Sequence, residues 1–243
     1  FIISYYGILR AGAITVPINP QYRGDDLAYI IKNSGMQAIV TGVENIPTVA
    51  QVRNEALIVI ATDIRVPFKE NHEYEAPTDV VILEDVLFKY STIDPQVKII
   101  CEDIANLQYT GGTTGVYKGA VLTHYNMVVN ATQLRYWFRN VYEDGAGKFI
   151  GVLPMFHIYA MSTTVNHATI TGSSILILSR FDINELIRLV EKYKPNLFMG
   201  VPAMYGALAM REGNYDLSSI EACVSGSAPI PVVVHEKFEK ITG

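Results

Sequence analysis

Short apolar runs alternate with helix-length patterns along most of the chain, and that alternation leaves few architectures open. Residues 56–62, Ala-Leu-Ile-Val-Ile-Ala-Thr, are almost wholly apolar. A run of this kind needs cover on both faces, as in a parallel sheet whose crossovers are helices. Residues 1–11 read as a helix closed by Ala11-Gly12, and 13–17 as a short β-rich run stopped by Pro17. Residues 25–33 read as a helix with acids in its first turn and Leu27, Ile30 and Ile31 on one face. Residues 37–41 read as a buried strand. After Asp103 the rhythm is regular. Strands are predicted at 104–109, 120–122, 148–153, 174–178, 196–199 and 220–224. Helices are predicted at 123–139 behind a Thr123 cap, 158–170, 183–192 behind an Asp182 cap, 202–210 with proline in the first turn, and 232–241. The fold class is α/β, with β/α alternation and short connections in the pattern of a parallel sheet flanked by helices. Residues 1–102 form a first subdomain that ends in an irregular connection at 63–102, with one short helix around 83–89. Residues 103–243 form a second subdomain.

Composition narrows the function. The 243 residues are 49% hydrophobic and 18% charged, an ordinary globular balance. The net charge of −5 and the lack of any basic block argue against a nucleic-acid partner. Cys101 and Cys223 stand far apart with no metal-binding spacing, which fits a reducing, cytoplasmic setting. No apolar run reaches 18 residues, so no transmembrane helix is expected. The chain starts within a helical pattern and stops just after another, which reads as a fragment of a longer protein.

The densest chemistry lies at 107–119, Leu-Gln-Tyr-Thr-Gly-Gly-Thr-Thr-Gly-Val-Tyr-Lys-Gly. So many glycines exclude a helix and permit a sharp loop with outward N–H groups. The hydroxyls of Thr110, Thr113 and Thr114, the backbone of Gly111, Gly112 and Gly115, and the ammonium of Lys118 together describe a cradle for phosphate oxygens. By itself the cluster suits a hydroxyl-rich surface loop equally well. It is not a Walker loop, since Tyr117 precedes the lysine and Gly119 follows it, and the dinucleotide spacing is absent. Ligands of open α/β sheets bind beyond the carboxyl ends of strands. The loops at 110–119, 154–159, 200–203 and 225–230 are expected to share such a rim.

The run Tyr109-Thr-Gly-Gly-Thr-Thr-Gly-Val-Tyr-Lys-Gly119, continued by Ala-Val-Leu-Thr-His-Tyr-Asn126, closely resembles the phosphate loop of the adenylate-forming superfamily of acyl-CoA synthetases, aryl-CoA ligases and luciferases. Leu153-Pro-Met-Phe-His-Ile-Tyr-Ala-Met161 is similar to that family's acyl-pocket segment. Gly200-Val-Pro-Ala-Met-Tyr205 is similar to a second pocket wall, and Val224-Ser-Gly-Ser-Ala-Pro229 to the loop facing the adenylate. Residues 7–20 are also family-like, so the resemblance covers nearly the whole chain. Tyr117 departs from it, because the family prefers proline or serine before the lysine.

The resemblance implies the family's large N-terminal domain, β/α alternation in two mostly parallel sheets flanked by helices in a layered αβαβα arrangement, here incomplete and without the C-terminal domain. It implies ATP-dependent activation of a carboxylic acid to an acyl-adenylate, then thioester formation with coenzyme A, with magnesium accompanying ATP. Thr110, Gly111, Gly112, Thr113, Thr114, Gly115 and Lys118 would hold phosphates. His157 would sit beside the substrate carboxylate in a catalytic role. Met161, Val201, Met204, Gly226, Ser227, Ala228 and Pro229 would line the acyl and adenylate pocket. Thr113 or Thr114 could touch the metal, whose acidic ligand would lie outside the chain. On the residues alone, Lys118 is an ordinary exposed lysine, His157 a satisfied partly buried histidine, and Met161, Val201, Met204 and Tyr205 core. His124 and His167 have no comparable case. The Gly-Gly loop and apolar pocket segments favour a fatty acid. An aryl-CoA ligase and a non-catalytic nucleotide-binding module are the alternatives, and the fragment alone is expected to be inactive. Membrane contact at the periphery and the oligomeric state stay open.

Overall fold

The protein is represented by a computed structural model that describes residues 1–63, 77–87, 89–111 and 117–242. The chain forms two compact units, Ile3–Leu122 and Thr123–Gly243, the latter joined by Phe1–Ile2.

In the first unit, helix α1 spans Ile2–Arg10 and α2 spans Gly24–Ser34. Asp25 and Asp26 face the positive end of α2, and Gly35 ends it in the left-handed conformation at φ 66°. Leu27 and Ile31, one turn apart, pack with Val49, Leu57 and Val59 into a small core. A parallel three-stranded sheet runs β1 (Ala38–Gly42), β2 (Ile58–Thr62), β3 (Val80–Ile82). Between β1 and β2 lie a 3-10 turn at Val43–Asn45 and α3 (Ile46–Ala50), and α4 (Leu83–Leu87) follows β3.

Two expectations change in this unit. The first strand is only half-buried, because it is an edge of its sheet. The stretch read as irregular contains β3, which at three residues is too short for a periodicity signal. Strands β4 (Ile104–Gly111) and β5 (Tyr117–Thr123) make a separate two-stranded sheet. It is stitched to the run at 13–17, where the Thr15 N–H donates to Ala105 O at 2.9 Å and the Leu107 N–H to Thr15 O at 2.9 Å.

The second unit is built on a parallel four-stranded sheet of order β7-β6-β8-β9, with β6 Lys148–Gly151, β7 Ser174–Ile177, β8 Leu197–Gly200 and β9 Ala222–Ser225. All of β8 is buried, as an inner strand covered on both faces must be. Alternation sends its side chains to two cores. Phe198 joins Ile150, Leu186, Val190, Leu208 and Phe238 on one face. Leu197 and Met199 join Phe149, Leu153, Ala160 and Ala168 on the other. The first face is covered by α8 (Ile183–Tyr193), α9 (Pro202–Ala209) and α10 (Val232–Thr242). The second is covered by the segment that joins β6 to β7. That segment is α6 (Ile158–Ala160), one stretch of π-helix at Met161–Asn166, and α7 (His167–Thr171). Helix α5 (His124–Trp137) opens the unit behind a Thr123–Asn126 capping box. Burying Leu186, Ile187 and Val190 of α8 contributes roughly 1.5–3 kcal/mol each before entropy is counted.

The order of connections positions the site. The chain leaves β6 over one face of the sheet toward β7, and leaves β8 over the opposite face toward β9. Neighbouring strands whose exits diverge in this way open a crevice at their carboxyl ends.

Candidate active site

Three of the four loops expected on one rim stand beyond the carboxyl ends of β6, β8 and β9 in the second unit. Tyr159 ties them together. Its hydroxyl shares one hydrogen between Val224 O at 2.9 Å and Gly200 O at 3.3 Å, near the carboxyl ends of two neighbouring strands. The loop after β9 closes on β8 through the Gly226 N–H, which donates to Gly200 O at 3.1 Å. Gly226 is required where it stands, because a Cβ there would meet the Tyr159 ring at 2.8 Å. Beneath this level the Tyr205 hydroxyl donates toward Phe198 O at 2.8 Å and Val224 O at 2.9 Å. Burial pushes the Tyr159 phenol up to about 12 and Tyr205 higher still, so both remain protonated donors at neutral pH.

His157 caps α6. Its Nδ1 accepts from the Tyr159 N–H at 3.2 Å, which leaves the ring's hydrogen on Nε2. The residue is exposed, so that Nε2–H can donate to an arriving anion. At the end of β9 the Ser225 hydroxyl is buried without a hydrogen-bond partner among the described residues. An orphan donor of this kind on a rim is a place for a ligand oxygen.

Val201 caps α9 in extended conformation, and Met204 packs against both cores. Met161 is wholly buried at the start of the π-helical stretch. Ser227 is exposed with φ 70°, a left-handed conformation that costs a non-glycine residue free energy. Ala228 and Pro229 are exposed beside it.

The fourth loop belongs to the first unit. Thr110 and Gly111 close β4 and are exposed. Gly112, Thr113, Thr114 and Gly115 lie outside the described residues. Lys118 is exposed on β5, so it belongs to a strand and not to the loop where its sequence neighbours placed it. No cluster of three ligating side chains exists among the described residues.

A family model for AMP-binding enzymes matches residues 1–243. The chain belongs to that family. The long-chain-fatty-acid–CoA ligase of Bacillus subtilis (strain 168) is 36% identical over 267 residues, covering 100% of this chain and 47% of that protein. The 4-coumarate–CoA ligase 3 of Arabidopsis thaliana is 30% identical over 233 residues, covering 95% and 40%. A crystal structure of a long-chain-fatty-acid-CoA ligase (FadD1) from Archaeoglobus fulgidus matches with TM-score 0.82 at 27% identity, covering 99% of this chain and 46% of that one. The chain spans about half the length of the curated relatives it matches.

For an AMP-binding enzyme the fold is the expected one, with parallel sheets flanked by helices. The second unit gathers His157, Val201, Gly226, Ser227, Ala228 and Pro229 at the ends of adjacent strands. Sequence reasoning passed over Tyr159 and Ser225. Tyr159 stands two residues beyond His157, and no periodic signal separates it from core; only its two strand-end carbonyl partners show its part. Ser225 is one of many serines until its hydroxyl is found buried and unmatched. His167, without a case in the sequence, is a core residue. It is fully buried, contacts the Tyr142 hydroxyl, and is pushed down to about 4 by burial against a weaker opposing hydrogen bond to the Thr163 backbone.

Proposed function

We propose that the protein carrying this chain activates a carboxylic acid, a fatty acid in the first place, with ATP and transfers the acyl group to coenzyme A. The observation that supports this best is the rim of the second unit. It presents a histidine Nε2–H and an orphan serine hydroxyl at the switch point of a sheet shared with acyl-CoA ligases. An acyl-adenylate offers matching acceptors in its carbonyl and phosphate oxygens.

In the proposed reaction a carboxylate oxygen attacks the α-phosphorus of ATP. An acyl–O–P bond forms, the bond to the β-phosphate bridging oxygen breaks, and pyrophosphate leaves. The thiolate of coenzyme A then attacks the acyl carbon and AMP departs. Thr110, Gly111 and Lys118 would hold phosphates together with residues 112–115, where fixed donors and a cation oppose the charge that builds up. His157 would donate from Nε2 to the substrate carboxylate. Met161, Val201 and Met204 would bound the acyl chain, and Gly226 to Pro229 would flank the adenylate. Magnesium would travel with the ATP phosphates; the described residues do not supply a ligand cluster for it. A cytoplasmic location is part of the same reading, supported by two free cysteines. Among the described residues no helix is long and apolar enough to cross a membrane.

The likeness to a 4-coumarate–CoA ligase favours aromatic acids as the second reading. Acid-dependent exchange of pyrophosphate into ATP, measured on the longest natural form of the protein, tests both. Exchange that is faster with long-chain than with aromatic acids is expected. The reverse order makes it an aryl-CoA ligase, and no exchange with any acid leaves a nucleotide-binding module. The 243-residue chain alone is expected to fall far short of the longer protein.

A further inference from the structure

Both feet of the Gly/Thr stretch are tied to one helix. On the incoming side, the buried Tyr109 of β4 donates its hydroxyl to Asn33 Oδ1 at 2.6 Å. On the outgoing side, the carbonyl of Tyr117, first residue of β5, accepts from the Tyr29 hydroxyl at 3.2 Å. The Tyr117 ring packs on Tyr22, just ahead of α2, with centroids 5.1 Å apart. Tyr29 and Asn33 are four residues apart on α2 and so share a face. The two feet also touch each other, since Gly119 crosses the Tyr109 ring where a Cβ would approach to 3.1 Å.

Each anchored residue is followed at once by a candidate phosphate ligand. Successive side chains of a strand point to opposite faces. Anchoring Tyr109 inward therefore turns Thr110 outward, and docking Tyr117 on Tyr22 turns Lys118 the other way. Thr110 and Lys118 are both exposed, as this requires. We propose that Tyr22, Tyr29, Asn33 and Tyr117 form a clasp that sets the spacing and orientation of Thr110 and Lys118 for a nucleoside triphosphate. Tyr29 and Tyr117 are its positioning residues. The inference rests on the nucleotide-phosphate reading of this loop. It also explains how tyrosine serves ahead of the lysine: the strand start is fixed by contacts with α2.

The test is ATP binding by titration calorimetry on the longest natural form, with the KM of a long-chain acid measured alongside. Tyr117→Ala is expected to weaken ATP by about five- to ten-fold, and Tyr29→Phe, which loses one hydrogen bond, by about three-fold. Tyr117→Phe keeps the ring and is expected to restore affinity to within about two-fold, while the double variant falls short of the product of the single effects. The acid KM should not move. Unchanged ATP affinity in Tyr117→Ala, equal losses for ATP and acid, or no rescue by Tyr117→Phe each overturn the clasp while the phosphate reading stands. A wild-type protein that does not bind ATP overturns the phosphate reading and the clasp with it.

Discussion

Single residues at the rim are held by contacts that admit little change. Gly226→Ala places a methyl group against the Tyr159 ring, which is itself pinned by two strand-end carbonyls. We expect a loss of about 1–3 kcal/mol in urea denaturation. Gly206→Ala is the control. That glycine lies inside α9 with nothing near its Cβ position, so alanine there should be neutral or stabilising by up to about 1 kcal/mol. Buried His167 predicts a pH response. Its folded value is about 4 against an ordinary 6.5, so the unfolded chain binds the proton more readily. The stabilisation is complete above about 6.5 and is lost as pH falls toward 4, to a total of roughly 3 kcal/mol. His167→Gln, which does not titrate, should flatten the slope of stability against pH in that window. Equal slopes for variant and wild type would show that another group is responsible.

At the level of elements, local caps and tertiary burial act together. Asp182 accepts from the Asn184 and Glu185 N–H groups at 3.0 and 2.9 Å, satisfying two donors that α8 would otherwise leave open. Asp182→Ala should cost about 1 kcal/mol by chemical denaturation and Asp182→Asn much less. A cost near zero for the alanine variant would mean that burial of Leu186, Ile187 and Val190 alone holds the helix start. The π-helical stretch at Met161–Asn166 needs a different account. A single wide turn inserts one residue into a helix, and such turns recur at functional sites. It begins at Met161, four residues after His157, and keeps Met161 and Val165 buried.

For the molecule as a whole, ligand binding should appear in its stability. If ATP binds the folded chain alone, ATP at about one hundred times its dissociation constant adds about 2.7 kcal/mol. For a chain of this size that raises Tm by about 5–10 °C. A Tm unmoved by millimolar ATP in the longest natural form would contradict the nucleotide reading. With a net charge of −5 and a pI near 5.5, the protein should be least soluble near that pH, where His167 also begins to weaken the fold.

Much of this was legible in the sequence because it is local. The alternation of apolar runs and helical patterns, the Thr123 and Asp182 caps and the Gly/Thr cluster each depend on residues within one or two turns of one another. The family resemblance was equally a matter of order and spacing along the chain. Tertiary structure decided what depends on partners distant in sequence. Tyr159 becomes the tie of the rim only when β8 and β9 lie side by side 41 and 65 residues away. Tyr117 becomes an anchor only when α2 lies beneath it, 88 residues earlier at Tyr29. Strand β3 exists only because β2 is there to pair with. Hydrogen-bond partners of that kind are set by how the chain closes, and no local pattern of side chains encodes them.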